Sequence, residues 1–217
     1  MSDSPAIAAS RAGGATFAGL LGVAAAVIYV GAVIVGGWLT PGYSHVAHSI
    51  SELTTAGAPY RDILNLIFVT YNLLLIAFAV AIPTAVGEPR RGIVVGAVLL
   101  GLVGIAGLGM STLFPTDRPG DPITTIGWIH IGLAAAASFG SMGAILAFAL
   151  AFRRNDAWRR FATGSFASLA GIFVSGIWAA TTAAQLSPIM GFAERITIGI
   201  FILWLFAFSL RILFGRS

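Results

Sequence analysis

The sequence predicts an all-α integral membrane protein, a mostly up-and-down antiparallel bundle of six transmembrane helices. Composition is the first reason. Of 217 residues, 58% are hydrophobic and 9% charged, whereas soluble domains are about 25% charged. Mean hydropathy is +0.94. The second reason is length: six apolar stretches are each long enough for a hydrocarbon core about 30 Å thick, which needs roughly 20 residues of helix. The third is that several of these stretches are joined by short loops, which makes neighbours antiparallel. The period-2 alternation of a barrel strand is absent, so helices are the spanning elements.

The stretches fall near Thr16–Leu39, Ile63–Val86, Gly92–Phe114, Thr124–Phe152, Phe161–Ala184 and Ile196–Phe214. Residues 1–15 read as a short tail and residues 16–214 as one transmembrane domain, with no internal repeat. The first stretch is too long for a signal-peptide core and lacks a small-x-small cleavage site after it, so it reads as a retained helix. In the second and third, Asn65, Asn72, Ser111 and Thr112 read as interhelical hydrogen-bond partners. The third is rich in glycine (Gly96, Gly101, Gly104, Gly107, Gly109), which suits a central helix. Gly132, Ala136, Gly140 and Ala144 in the fourth, and Ala167, Gly171, Ser175 and Ala179 in the fifth, recur at intervals that let backbones approach in lipid. The sixth carries Phe201, Trp204, Phe206 and Phe208, a bulky surface expected to meet lipid.

Orientation follows from arginine. The chain has twelve arginines and no lysine. Arg11, Arg90, Arg91, Arg153, Arg154, Arg159, Arg160, Arg211 and Arg216 fall on one side, and Arg61, Arg118 and Arg195 on the other. The arginine-rich side is expected in the cytoplasm, with both termini, in the cytoplasmic membrane. The spread of these charges over loop ends excludes a nucleic-acid surface.

The chemistry-bearing residues collect on the opposite, outer face. All three histidines (His45, His48, His130) are there, with Glu52, Asp62, Asp117, Asp121 and Glu194. His130 lies just inside the apolar boundary, where an unsatisfied polar group costs several kcal/mol. Asp117, across one short loop, is its nearest partner in sequence, and an Asp–His pair orients an imidazole for general-base work. Ser49 and Ser51 are nucleophiles only if a base reaches them, and turn or cap roles suit them equally. Arg195, beside Glu194, reads as opening the sixth helix, positioned for an anionic head group or for pairing with nearby acids. His45 and His48 sit at i, i+3 with Glu52 following. Joined to His130 and Asp117 they would offer nitrogen and oxygen ligands suited to zinc, although no fixed ligand spacing supports a metal. No cofactor is otherwise expected. The absence of cysteine removes disulfides and thiolate chemistry. The central layers hold Ser, Thr, Asn, Tyr and Gly rather than acids or bases, which argues against a charge-coupled pump.

Ile50-Ser-Glu-Leu53, Ala58-Pro-Tyr-Arg61 with Asn65, Phe114-Pro-Thr-Asp117, His130, and Gly191-Phe-Ala-Glu-Arg195 with Trp204 form a series along nearly the whole chain. In these pieces the chain resembles a bacterial and archaeal membrane family catalogued as domain of unknown function 998. The resemblance implies a multi-spanning membrane protein. Ser51, Glu52, Asn65, Asp117, His130 and Arg195 match its pattern; His45 and His48 lie outside it, which weighs against a metal. A fainter likeness, in the Ser-Glu-Leu loop and the later histidine, is to eukaryotic membrane proteins of GPI-lipid remodelling and autophagy modulation.

The expectation is therefore a polar pocket at the outer rim. Ser51, Glu52, Asp117 and His130 are its candidate catalytic groups, and Arg195 and Asn65 its candidate binding groups. It would bind or process a lipid head group or another amphiphile. Two alternatives stay open: a non-enzymatic scaffold or partner subunit whose polar residues are structural, and a carrier for a neutral solute. Membrane lipids are the expected partners, with a homo-oligomer or a membrane partner protein also admitted.

Overall fold

The computed structural model describes residues 5–87 and 90–215, with side chains from Gly13 onward. Among these, six long helices carry almost all of the chain: α1 (Pro5–Leu39), α2 (Arg61–Ala85), α3 (Arg91–Thr112), α4 (Thr125–Phe152), α5 (Arg159–Ala184) and α6 (Met190–Phe214). A 3-10 turn at Ser51–Thr54 lies in the connection between α1 and α2, and no strand occurs among the described residues. Every helix contains a span long and apolar enough to cross a membrane. The chain is a multi-pass membrane protein.

Two helix starts differ from expectation. Part of the expected tail is helical, because α1 begins at Pro5, where proline suits the first helical position; residues 1–4 lie outside the described residues. The sixth helix starts at Met190, not Ile196, so Glu194 and Arg195 lie inside it, one turn from its start.

Each helix packs against its neighbours in sequence, and α6 returns to pack on α1. The result is a closed ring of six antiparallel helices. The connections 40–60, 113–124 and 185–189 gather at one end, called here the loop end; the turns near Arg90 and Arg153 mark the arginine end. No helix occupies the centre. The glycine-rich α3 therefore stands in the ring rather than inside it. Its glycines admit both neighbours: Gly104 faces Ile76 and the Asn72 backbone of α2, and Gly96 faces Phe148 of α4.

Side chains fill the arginine half of the ring. Phe208 and Phe148 have ring centroids 4.9 Å apart, and Phe208 lies 4.9 Å from Phe161 and 5.8 Å from Phe78. Phe152 stacks on Trp158 at 4.4 Å. Trp204 is buried and donates to the Ser165 hydroxyl at 2.9 Å. These aromatics from α2, α4, α5 and α6 form a plug. The α6 aromatics expected to meet lipid thus point inward: Phe201, Trp204 and Phe208 are buried, and Phe206 is partly so. A lipid tail and a protein core are equally apolar, so composition did not distinguish the two faces. The expected interhelical polar contacts also take another form. The side chains of Asn72, Ser111 and Thr112 donate to carbonyls of Phe68, Gly107 and Leu108 on their own helices.

Candidate functional site

The loop end is built first by the 40–60 connection, which folds back over the start of α6. Its Ile50 and Leu53 are buried against Leu64 and Phe68 of α2 and Ala32 and Val33 of α1. Ser49-Ile-Ser-Glu52 has the pattern of a capping box. Glu52 Oε1 accepts from the Ser49 backbone N–H at 2.8 Å and from its hydroxyl at 3.0 Å. The Ser49 and Ser51 hydroxyls are 3.1 Å apart. Glu52 is thereby committed to shaping the 3-10 turn.

Arg195 clamps this loop. Its Nη1 donates to the carbonyls of His48 at 2.8 Å and Gly191 at 2.9 Å, and its Nη2 donates to the Tyr43 hydroxyl. That hydroxyl in turn donates to the Ser49 carbonyl at 2.7 Å. The Phe192 N–H donates to the Val46 carbonyl at 2.9 Å, and Glu194 Oε2 accepts from the Ile50 N–H at 3.0 Å. Gly191 permits the approach, since a Cβ there would collide with the His48 carbonyl. Burial pushes the Tyr43 phenol up to about 12, against the opposing pull of Arg195. His45 packs edge-on to Tyr43 at 5.4 Å. Burial, and then the charge of Arg195, push its imidazole below the ordinary value. The Ser44 backbone N–H donates to His48 Nδ1 at 2.9 Å.

A second connection, 113–124, is tied alongside. Asp117 accepts from the Thr124 N–H at 2.8 Å and from its hydroxyl at 2.9 Å, and the Thr124 oxygen caps α4 by accepting from the Gly127 N–H at 3.1 Å. The carboxylate sits at a helix N-terminus, where the dipole favours it. Arg118 Nε donates to the Ala56 carbonyl at 2.5 Å, and the Thr55 hydroxyl to the Thr116 carbonyl at 3.3 Å.

Beneath this lid the ring is hollow. A cavity of about 550 Å³ runs from Ser49, Ser51, Thr54, Thr116 and His130 down to Asn72, Val103, Ser141, Ile172 and Phe201 at mid-helix depth. Small residues make the space: Ala134, Ala135, Ala137 and Ser138 on α4 face Gly176, Ala179, Ala180 and Ala183 on α5. From Trp128 to Gly140, α4 has no buried residue. α4 and α5 are also the least buried spans, at 28% and 17% against 39% for each of the other four. One stripe of α6 lines the cavity, with Met190, Glu194, Thr197, Ile198 and Phe201 at helical spacing.

A model of the family described as "Protein of unknown function (DUF998)" matches residues 23–211, which takes in all six spans, the lid and the cavity. The chain belongs to the DUF998 family. No curated protein and no solved structure matches it.

In this DUF998 chain the expected site residues separate into two sets. Ser51 and His130 line the cavity. Glu52, Asp117 and Arg195 do not; they hold the turn, the α4 start and the loop clamp. The expected Asp117–His130 pair is not made. His130 Nδ1–H instead donates to the Phe114 carbonyl at 2.7 Å, which leaves Nε2 as the lone-pair nitrogen of the neutral ring. Arg195 lines a separate apolar groove of about 620 Å³ between α1 and α6, where no anionic group is needed to satisfy its Nη1. Asn65 is half-buried on α2 and outside the cavity lining. His45 and His48 join neither His130 nor Asp117: no group of three or more His, Asp or Glu that could hold a metal ion exists among the described residues.

Glu194, Tyr29, Tyr71 and Asn72 are not among the sequence-predicted site residues, yet all four line the cavity. A signal for Glu194 was available in Ser187-Pro-Ile-Met190, since a serine and proline precede the i, i+4, i+7, i+11 stripe of Met190, Glu194, Thr197 and Phe201.

Proposed function

We propose that the protein binds a single amphiphile in this cavity, with the polar head at the rim of Ser49, Ser51, Thr54, Thr116, His130 and Glu194. The apolar chain lies along the alanine wall of α4 and α5. The supporting observation is the cavity itself, hollow at a polar rim and thin-walled on its lipid side. Its volume of about 550 Å³ falls within the roughly 300–1,000 Å³ usual for small-molecule sites. Native interiors otherwise tolerate few voids larger than a water molecule. The aromatic plug closes the arginine half, which favours a dead-end binding site over a solute path.

The arginine distribution favours a loop end away from the cytoplasm, so the amphiphile would come from the outer leaflet of the cytoplasmic membrane. Labelling of a cysteine introduced at Gly42 by a membrane-impermeant reagent tests that placement. Chemistry on the bound head, if it occurs, would use His130 Nε2 as a base without a carboxylate behind it.

Native mass spectrometry of the protein purified in a mild neutral detergent tests the binding reading. The wild-type chain is expected to retain one amphiphile. Ala180→Trp, which fills the cavity from α5, should lose it with the unfolding midpoint nearly unchanged. A wild-type chain with no adduct, or an adduct undiminished by the tryptophan, refutes the reading.

A further inference from the structure

The charge inside the cavity says more about the head group. Among the residues that line it, His130 carries the one imidazole, and Glu194 the one carboxyl group. Its Oε2 accepts from Ile50, while Oε1 has no hydrogen bond to any described residue. No arginine offsets the carboxylate within ion-pair distance among the described residues, because the adjacent Arg195 turns to Tyr43 and the loop carbonyls. A carboxylate withdrawn from water without a counter-charge is costly.

Aromatic faces surround the same space. Tyr29 and Tyr71 line it with ring centroids 4.8 Å apart, beside Phe68 and Phe201. Tyr71 is 7% exposed, and neither tyrosine hydroxyl has a hydrogen-bond partner among the described residues. Hydroxyls that line a cavity without a protein partner are free to bond a ligand there. Aromatic faces joined to a carboxylate attract an ammonium group, through the ring quadrupole and through charge. They repel a phosphate.

We infer that the cavity selects an amphiphile whose head is a protonated amine, seated between Glu194 and the Tyr29–Tyr71 pair. This rests on the amphiphile reading above. It replaces the anionic head group expected from Arg195, whose Nη donors are taken by the Gly191 carbonyl and the 40–60 connection.

The test compares four probes by thermal-shift titration of the purified protein in a neutral maltoside detergent at pH 7: dodecylamine, a lyso-phosphatidylethanolamine, dodecanol and dodecyl phosphate. At least one amine-headed probe should bind about tenfold more tightly than dodecanol, and dodecyl phosphate most weakly. Dodecylamine alone would identify small amphiphilic amines, and the lysolipid alone a membrane lipid; either supports the inference. Glu194→Gln should bring amine binding down to the level of dodecanol. Should that variant fail to fold, Tyr71→Leu leaves the Ile50 contact intact and should still weaken the amines several-fold with dodecanol unchanged. Equal or tighter binding of dodecanol or dodecyl phosphate overturns the amine inference and leaves the cavity reading standing. Failure of all four probes overturns both.

Discussion

At the scale of single residues, the loop end is held by a few polar groups, each with a defined partner. Arg195 illustrates why its type matters: three bonds from one planar fork reach two carbonyls and a phenol, a geometry an ammonium does not reproduce. His45 gives this cluster a pH limit. The groups facing it are Tyr43 and Arg195, and His48 also packs on Tyr43. Its folded value is below the ordinary 6.5, so the folded lid takes up a proton less readily than the unfolded chain. The stability it contributes is present above 6.5 and is lost as pH falls through the lower folded value. Protection of the amides of residues 40–60, taken relative to intrinsic exchange at each pH, should therefore fall on acidification below about 6.5, and His45→Asn should flatten that dependence. Protection that is independent of pH in both proteins excludes His45 as the cause. On the alkaline side Tyr43, pushed up to about 12, keeps its proton and its place until well above the phenol's usual range.

At the scale of elements, one glycine decides how the lid meets α6. Gly191→Ala puts a methyl group where the His48 carbonyl sits. It should release the 40–60 connection while leaving the six helices formed. Limited proteolysis should then cut within that connection, with helical circular dichroism unchanged; resistance equal to wild type disproves the contact's importance. The elements themselves were legible in the sequence because length and apolarity alone specify a span. The start of α6 was not. Glu194 and Arg195 resemble a loop by charge, but the folded-back connection gives each a backbone partner one turn inside the helix. The cavity was equally hidden. Alanine and glycine at intervals of four mean close approach where helices converge and empty space where they diverge. Gly140 meets Val103 of α3 and Gly171 meets Ile200 of α6, at about the depth where α4 becomes buried. Toward the loop end the same kind of stripe lines a void. Relative helix tilt decides between the two, and no local pattern encodes it.

At the scale of the whole molecule, the ring divides into a filled half and an empty half. Phe208 lies at the centre of the filled half, in ring contact with Phe78, Phe148, Phe152, Trp158, Phe161 and Trp204. Removing it should cost about 3–5 kcal/mol, as large-to-small core substitutions do. Phe214, 74% exposed at the end of α6, is the matched control, and its replacement by alanine should change stability by about 0.5 kcal/mol or less. Reversible unfolding in mixed micelles measures both, and similar values for the two would refute the plug as the stabilising core. The pieces Ile50–Leu53, Phe114–Asp117 and Gly191–Arg195 build the lid, while the space beneath is bounded largely by residues outside them.

The seam between α1 and α6 has a consequence for biogenesis. Because these helices are the first and sixth to leave the ribosome, the earliest-made one waits through four intervening insertions with a flank facing bare acyl chains. The tryptophan and phenylalanines of α6 follow the five other described helices. Until they are in place, those helices form an open horseshoe without its central aromatic keystone.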